Sequence, residues 1–268
     1  MKTIKLFSFG FVLTVLTSCG VSKDENEAPK GGINLFSIEQ DKQLGHQVAA
    51  EIENDLKNFP ILDSASNVKA YKFIYDIRNK ILATGKVIHK DEFVWRIRII
   101  DNDSIQNAFC TPGGYIYIFT GIIKYLEDES QLAGVMGHEM GHADLRHSTR
   151  QMTKIFGVQI LLAVALGDSS FLADITAALI NLKFSREHET EADRMSVEYL
   201  CQTDYPADGA AGFFEKIETG GNASPPEFLS THPSPVKRIE NYHKWAAAIG
   251  CVGKEQYKER YEEFKRLF

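Results

Sequence analysis

No apolar run in this 268-residue chain reaches the ~20 residues that a membrane-spanning helix needs. The runs at 6–16, 157–166 and 171–182 are all shorter. Gly167-Asp168-Ser169-Ser170 divides the last two, so buried helices, as a hairpin, are expected there. A basic stripe is also missing: 30 Lys and Arg stand against 36 Asp and Glu, for a net charge of −6, and the cations are scattered. That distribution argues against nucleic acid as a partner. There is no repeat period and no break in composition that would require two folded domains. Cysteine is scarce, with four residues, at 19, 110, 201 and 251.

The first residues are basic (Met1-Lys2-Thr3-Ile4-Lys5), followed by the apolar run and then Thr17-Ser18, so residues 1–18 read as a signal peptide. Leu16-Thr17-Ser18-Cys19 resembles the lipobox of bacterial lipoproteins, which implies cleavage before Cys19 and a lipid on its sulfur. Residues 19–33 have too little apolar surface to fold and are expected to form a flexible tether. The charged run 22–27 looks like a sorting signal of surface-exposed lipoproteins, although a solvated linker needs the same residues. Residues 34–268 suffice for one domain with a substantial core. The expected location is a bacterial cell envelope, as an outer-membrane lipoprotein facing the periplasm or the surface. With Cys19 acylated, three cysteines remain in an oxidising compartment, enough for one disulfide and one free thiol. Spacing does not choose the pair; Cys201 with Cys251 is favoured, leaving Cys110 free.

Ser37 and Gln40 have capping-box spacing, and Ile38, Leu44, Val48, Ile52 and Leu56 share one helical face, which predicts a first helix. Residues 67–82 predict a second. Residues 93–100 and 115–119 read as strands, with the turn signal Pro112-Gly113-Gly114 between them. Asp128 with Gln131 resembles another helix start, and the pattern runs on through His142. Residues 184–200, 208–217, 235–248 and 254–268 complete a mostly helical second half, so the fold class is α+β with a small sheet preceding one chemistry-bearing helix.

That helix contains His138-Glu139-Met140-Gly141-His142. Residues four apart lie above one another on a helix, so both imidazoles can share one ion while Glu139 is turned aside towards a water. Two nitrogens plus a carboxylate and an open position suit zinc, one per chain. Gly134, Gly137 and Gly141 each cost roughly 1 kcal/mol in a helix, so something must approach closely there. Glu189 and Asp193 also have helical i, i+4 spacing, so one can ligate while the other orients a ligand imidazole. Alone, this charged stretch would read as a solvated helix face. His147 falls off the ligand face and reads as a surface or packing histidine, while His46, His89, His188 and His243 carry no motif.

Asn107-Ala108-Phe109, Pro112-Gly113-Gly114, Tyr115-Ile116-Tyr117, Gly121, the GHEMGH run from Gly137, Glu189 to Asp193, Thr231-His232-Pro233 and Arg238-Ile239 follow one another in a recognisable order. In that order the chain resembles the zinc metallopeptidase family of HtpX-like and CAAX prenyl proteases, of gluzincin type, in its soluble exported branch. The resemblance covers about 34–239 and implies a zincin-like fold. It makes Glu189 the third ligand beside His138 and His142, and places Asp193 behind a ligand. Glu139 is then the general base, and His232 the donor to the transition state or an inhibitory fourth ligand. Arg238 is an alternative donor or a structural partner. The strand 115–119 resembles the edge strand that binds extended substrate, with Asn107, Gly114, Tyr115 and Tyr117 as contacts. Implied substrates are unfolded or misassembled envelope proteins, with outer-membrane assembly machinery as a candidate partner. Two other readings stand beside this one: a zinc-stabilised chaperone or assembly factor that seldom cuts, and a structural lipoprotein in which HExxH is accidental.

Overall fold

The computed structural model describes residues 33–166, 169–219, 226–235 and 237–268, without the side chains of 163–171. The segments expected to be a signal peptide (1–18) and a tether (19–33), with Cys19, lie outside the described residues apart from Ile33.

The first helix, α1, is Ile38–Asn54. Its capping box forms as the spacing predicts: the Gln40 amide donates to Ser37 Oγ at 3.2 Å, and the Ser37 amide donates to Gln40 Oε1 at 2.8 Å. Leu44, Val48 and Ile52 are buried, but the helix ends before Leu56, which is 59% exposed. α2 (Val68–Ala83) buries Tyr71, Ile74, Ile77 and Ile81.

Three strands follow: β1 (Arg96–Ile100), β2 (Ala108–Thr111) and β3 (Tyr115–Phe119). The run expected over 93–100 is shortened because Trp95 takes a left-handed conformation, with φ 45°, and breaks the extended chain. β2 was not anticipated. The sheet order is β1-β3-β2, with β1 parallel and β2 antiparallel to β3. β3 is therefore the central strand, hydrogen-bonded on both sides, and the expectation that 115–119 is an edge is corrected. Gly113 and Gly114, at φ 77° and 84°, make the turn between β2 and β3.

Strand side chains alternate between two faces, and here both faces are covered. Ile97, Ile99, Ala108, Cys110, Ile116 and Ile118 point into the larger core. Phe109, Tyr115, Tyr117 and Phe119 point into a second core with Leu44, Val48 and Ile52 of α1.

After the single-turn-plus α3 (Thr120–Tyr125) comes α4 (Glu129–Asp144), capped as predicted by Asp128, which accepts from the Gln131 amide at 3.0 Å. All sixteen residues of α4 are buried. α5 (His147–Phe156), α6 (Gln159–Leu166) and α7 (Ser169–Ile180) follow. No helix among the described residues is long and apolar enough to cross a membrane. The chain continues with α8 (Arg186–Leu200), α9 (Gly209–Thr219), the short α10 (Phe228–Thr231), α11 (Arg238–Ile249) and α12 (Lys258–Lys265).

The α4 glycines explain themselves in this packing. A Cβ on Gly134 would sit 2.4 Å from the Ala210 nitrogen of α9, and one on Gly141 would sit 3.1 Å from the Ala192 carbonyl oxygen of α8. Backbone contact with two neighbouring helices offsets their poor helix propensity. Cys201, at the end of α8, is disulfide-bonded to Cys251, just past α11, and Cys110 is a buried free thiol. The disulfide spans 50 residues, and loop-closure entropy alone gives it a contribution of up to about 4 kcal/mol. It joins the two helices that supply most of the charged residues described next.

Candidate metal centre

His138 and His142 project from the same side of α4, a turn apart, with Nε2 atoms 3.0 Å from each other. α8 starts at Ser185, whose side chain accepts from the His188 amide at 3.2 Å, and runs beside α4 so that Glu189 faces the pair. Glu189 Oε1 is 3.3 Å from His142 Nε2, and Glu189 Oε2 is 3.5 Å from His138 Nε2. His232 caps the C-terminus of α10, which is pinned by the Phe228 amide donating to Gln106 O at 3.0 Å. Its Nδ1 lies 3.2 Å from both His138 Nε2 and Glu189 Oε1. Candidate ligand atoms of all four residues lie within 4.8 Å of one another, and none of the four is more than 1% exposed.

The spacings fit a small cation. In a tetrahedral zinc site with bonds of about 2.0–2.1 Å, neighbouring ligand atoms are roughly 3.3 Å apart. The contacts here run from 3.0 to 3.5 Å, and several join atoms that would repel without a cation or a proton between them. Burial pushes His142 well below the usual imidazole range, which keeps it neutral as a ligand must be. Burial alone would raise Glu189, but His232 and His142 beside it hold its carboxyl well below the usual range.

Glu139 stands one position round the helix. Both its oxygens are buried without a donor at full hydrogen-bonding geometry, and burial raises its carboxyl. His232 Nε2 is 3.4 Å from Oε1, and the Cys110 thiol, itself pushed far up by burial, lies beside the carboxyl. A buried acid that no donor meets at full hydrogen-bonding geometry, beside a cation-shaped cluster, has the environment of a general base awaiting a water.

Behind the cluster, Asp193 Oδ1 sits 2.8 Å from His138 Nδ1. Arg238 donates to the same oxygen at 2.6 Å and to Glu189 Oε2 at 3.1 Å, and the Tyr242 hydroxyl donates to Asp193 at 2.7 Å. Burial would raise Asp193, but Arg238 and His138 bring it below its usual value. Arg238 is stacked 4.0 Å over the Phe214 ring and acts here as the countercharge of two carboxylates.

His147 corrects the sequence reading. It is buried, with Nδ1 2.9 Å from His142 Nδ1 and Nε2 2.9 Å from Glu191 Oε2, so it is not a surface residue. His188, to which no motif assigned a role, stacks on its ring at 4.3 Å. A continuous helix would carry position 147 away from His142, but α4 ends and Arg146 takes φ 59°, ψ 36°, which turns the chain back. That left-handed residue is held by Asp41 Oδ2, 2.6 Å from its Nε, and by the Phe36 carbonyl. The signal was not in helical periodicity.

The expected substrate contacts divide. Tyr115 and Tyr117 face α1 on the far side of the sheet, where the Tyr117 hydroxyl is 3.5 Å from Glu53, and Gly114 packs on Phe93 and Trp95. Strand alternation excludes these two tyrosines from the cluster, because Cys110, Ile116 and Ile118 occupy the face towards α4. Asn107 lies at the start of β2, the strand that is paired on one side only within the sheet, and its side chain accepts from the Ala108 amide at 2.8 Å.

Paired histidines on a buried helix, a carboxylate from a second helix and a small neighbouring sheet define a zincin-like metallopeptidase centre. The family model described as Peptidase family M48 matches residues 76–246, and the chain belongs to that family, whose metal is zinc. It is similar to the mitochondrial metalloendopeptidase OMA1 of Schizosaccharomyces pombe, with 31% identity over 218 residues, 79% of this chain and 63% of that one. The Arabidopsis thaliana protein of the same name is 34% identical over 152 residues, 56% of this chain and 31% of its own length. The beta-barrel assembly-enhancing protease of Escherichia coli (strain K12) is 31% identical over 224 residues, 77% of this chain and 44% of its own. The chain thus spans between about a third and two thirds of the length of these relatives.

Proposed function

We propose that the chain is a zinc-dependent endopeptidase that cuts unfolded or misassembled proteins of the cell envelope. The observation that carries this reading is the buried Glu139 carboxyl, held by no donor at full hydrogen-bonding geometry, beside the four-residue cluster. His138, His142 and Glu189 would hold zinc, which when bound supplies a Lewis acid for the peptide carbonyl and for water. Glu139 takes a proton from the attacking water and passes it to the leaving amine. Asp193 orients His138 from behind, and Arg238 holds Asp193 and Glu189 in place.

His232 is assigned to the fourth position in a resting state, because its Nδ1 has the same spacing to the cluster as the other ligand atoms. Substrate must displace it. Main-chain pairing with an extended substrate is assigned to β2, entered at Asn107, since β3 has no free edge. Pairing of that kind selects unfolded chains over folded ones. A lipid on Cys19, an envelope location and contact with outer-membrane assembly machinery belong to the same proposal. The name of the E. coli relative supports the last of these.

The test is digestion of an unfolded model protein such as casein. Glu139→Gln should lower turnover by ~10²–10⁴-fold while zinc stays bound; turnover near wild type would remove Glu139 from its role. In the same assay His232→Ala should raise cleavage. A fall instead would make His232 a donor to the transition state.

A further inference from the structure

We propose that His147 and Glu191 are positioning residues which fix the tautomer of His142 and so present its Nε2 lone pair to the metal. The inference rests on the zinc-site reading above and goes beyond it, since neither residue touches the cluster of candidate ligand atoms. The argument is one of proton accounting along a line of hydrogen bonds. Glu191 Oε2, with the Arg150 guanidinium 3.7 Å away, is a carboxylate oxygen and accepts. His147 Nε2, 2.9 Å from it, must therefore carry the ring proton. A neutral imidazole has one proton, so His147 Nδ1 is bare and accepts. The atom facing it at 2.9 Å is His142 Nδ1, which must donate. His142 then carries its own proton on Nδ1 and leaves Nε2 bare, and Nε2 is the atom turned towards Glu189 and His138. A donor in place of His147 Nδ1 would demand the opposite tautomer and put a proton where the metal belongs.

Packing holds the line straight. Phe184 stacks on the His142 ring at 4.0 Å and His188 stacks on the His147 ring at 4.3 Å, so neither imidazole can turn freely. A histidine buried only for packing would not need both ring nitrogens engaged at 2.9 Å, one of them by the rear nitrogen of a candidate ligand.

The experiment measures zinc affinity of metal-free full-length protein by competition with a chromogenic chelator, with no activity readout. His147→Leu removes the acceptor and should weaken zinc by ~10–100-fold, the usual cost of losing the hydrogen-bond partner behind a ligand. His147→Asn places an amide oxygen where Nδ1 stood and should return affinity to within about threefold of wild type. Equal losses in the two variants would mean that only volume matters, and would overturn the proposal. Unchanged affinity in His147→Leu would overturn it too. If His147→Leu fails to fold, Glu191→Leu carries the test: it frees the His147 tautomer and should weaken zinc measurably, and wild-type affinity would contradict the proposal. Failure of the wild-type protein to bind zinc would instead sink the metallopeptidase reading together with this inference. Tight wild-type binding with an indifferent His147→Leu sinks the inference alone.

Discussion

The two histidines of one motif are supported in different ways. His138 is backed directly by a carboxylate, Asp193, which is itself held by Arg238 and Tyr242. His142 is backed by a second imidazole, His147, and only then by a carboxylate, Glu191. The first side gathers three fully buried ionisable residues, Glu189, Asp193 and Arg238, from two helices joined by a disulfide. On the second side, burial keeps His147 neutral by pushing it down to about 3, and aromatic stacking confines the rings. The contrast teaches that a rear support can come either from charge brought in by a distant helix or from a turn only a few residues away. The first is energetically exposed to loss of a countercharge; the second depends on the geometry of the turn.

Breaking the charged side should have the largest effect. Arg238→Ala leaves two carboxylates in a buried site without their cation, and removing one partner of such a set costs about 3–5 kcal/mol. Urea unfolding of the metal-free protein measures this. A loss below about 1 kcal/mol would show that the two acids take up protons and do without Arg238. Breaking the turn should cost less. Arg146→Gly relieves a left-handed conformation worth roughly 1–2 kcal/mol but strips the buried Asp41 of its ion pair. A net loss of about 1–3 kcal/mol is expected in the same unfolding measurement, with zinc affinity lowered as well because α5 loses its fixed start. Stability and affinity equal to wild type would show that His147 finds His142 without that turn.

The same contrast governs what could be read from the chain itself. Everything that follows from local i, i+3 and i, i+4 spacing was legible: the His138–His142 face, the Glu189–Asp193 face, and the caps at Ser37 and Asp128, whose hydrogen bonds the structure shows. The Cys201–Cys251 bond formed as favoured. What depended on non-local or irregular backbone was not legible. β2 is only four residues long and follows a polar loop, so no alternation marked it, and without it β3 passed for an edge. The faces of Tyr115 and Tyr117 were not legible either, because which side of a strand meets a helix is decided by the neighbouring strands and α1. His147 was hidden by a single residue, since periodicity carried past Arg146 points it away from the site. The α4 glycines announced a close approach, but only the packing shows that α8 and α9 make it.

The most direct measurement is zinc stoichiometry and affinity of the purified protein with and without the third candidate ligand, the Glu189 carboxylate. Wild type should bind one zinc per chain, and Glu189→Ala, which leaves His138 and His142 in place, should weaken binding by roughly 100-fold or more, beyond what loss of a rear support costs. If the wild-type chain binds no stoichiometric zinc, or if Glu189→Ala holds it as tightly, the cluster built from α4, α8 and α10 is not the metal centre described here.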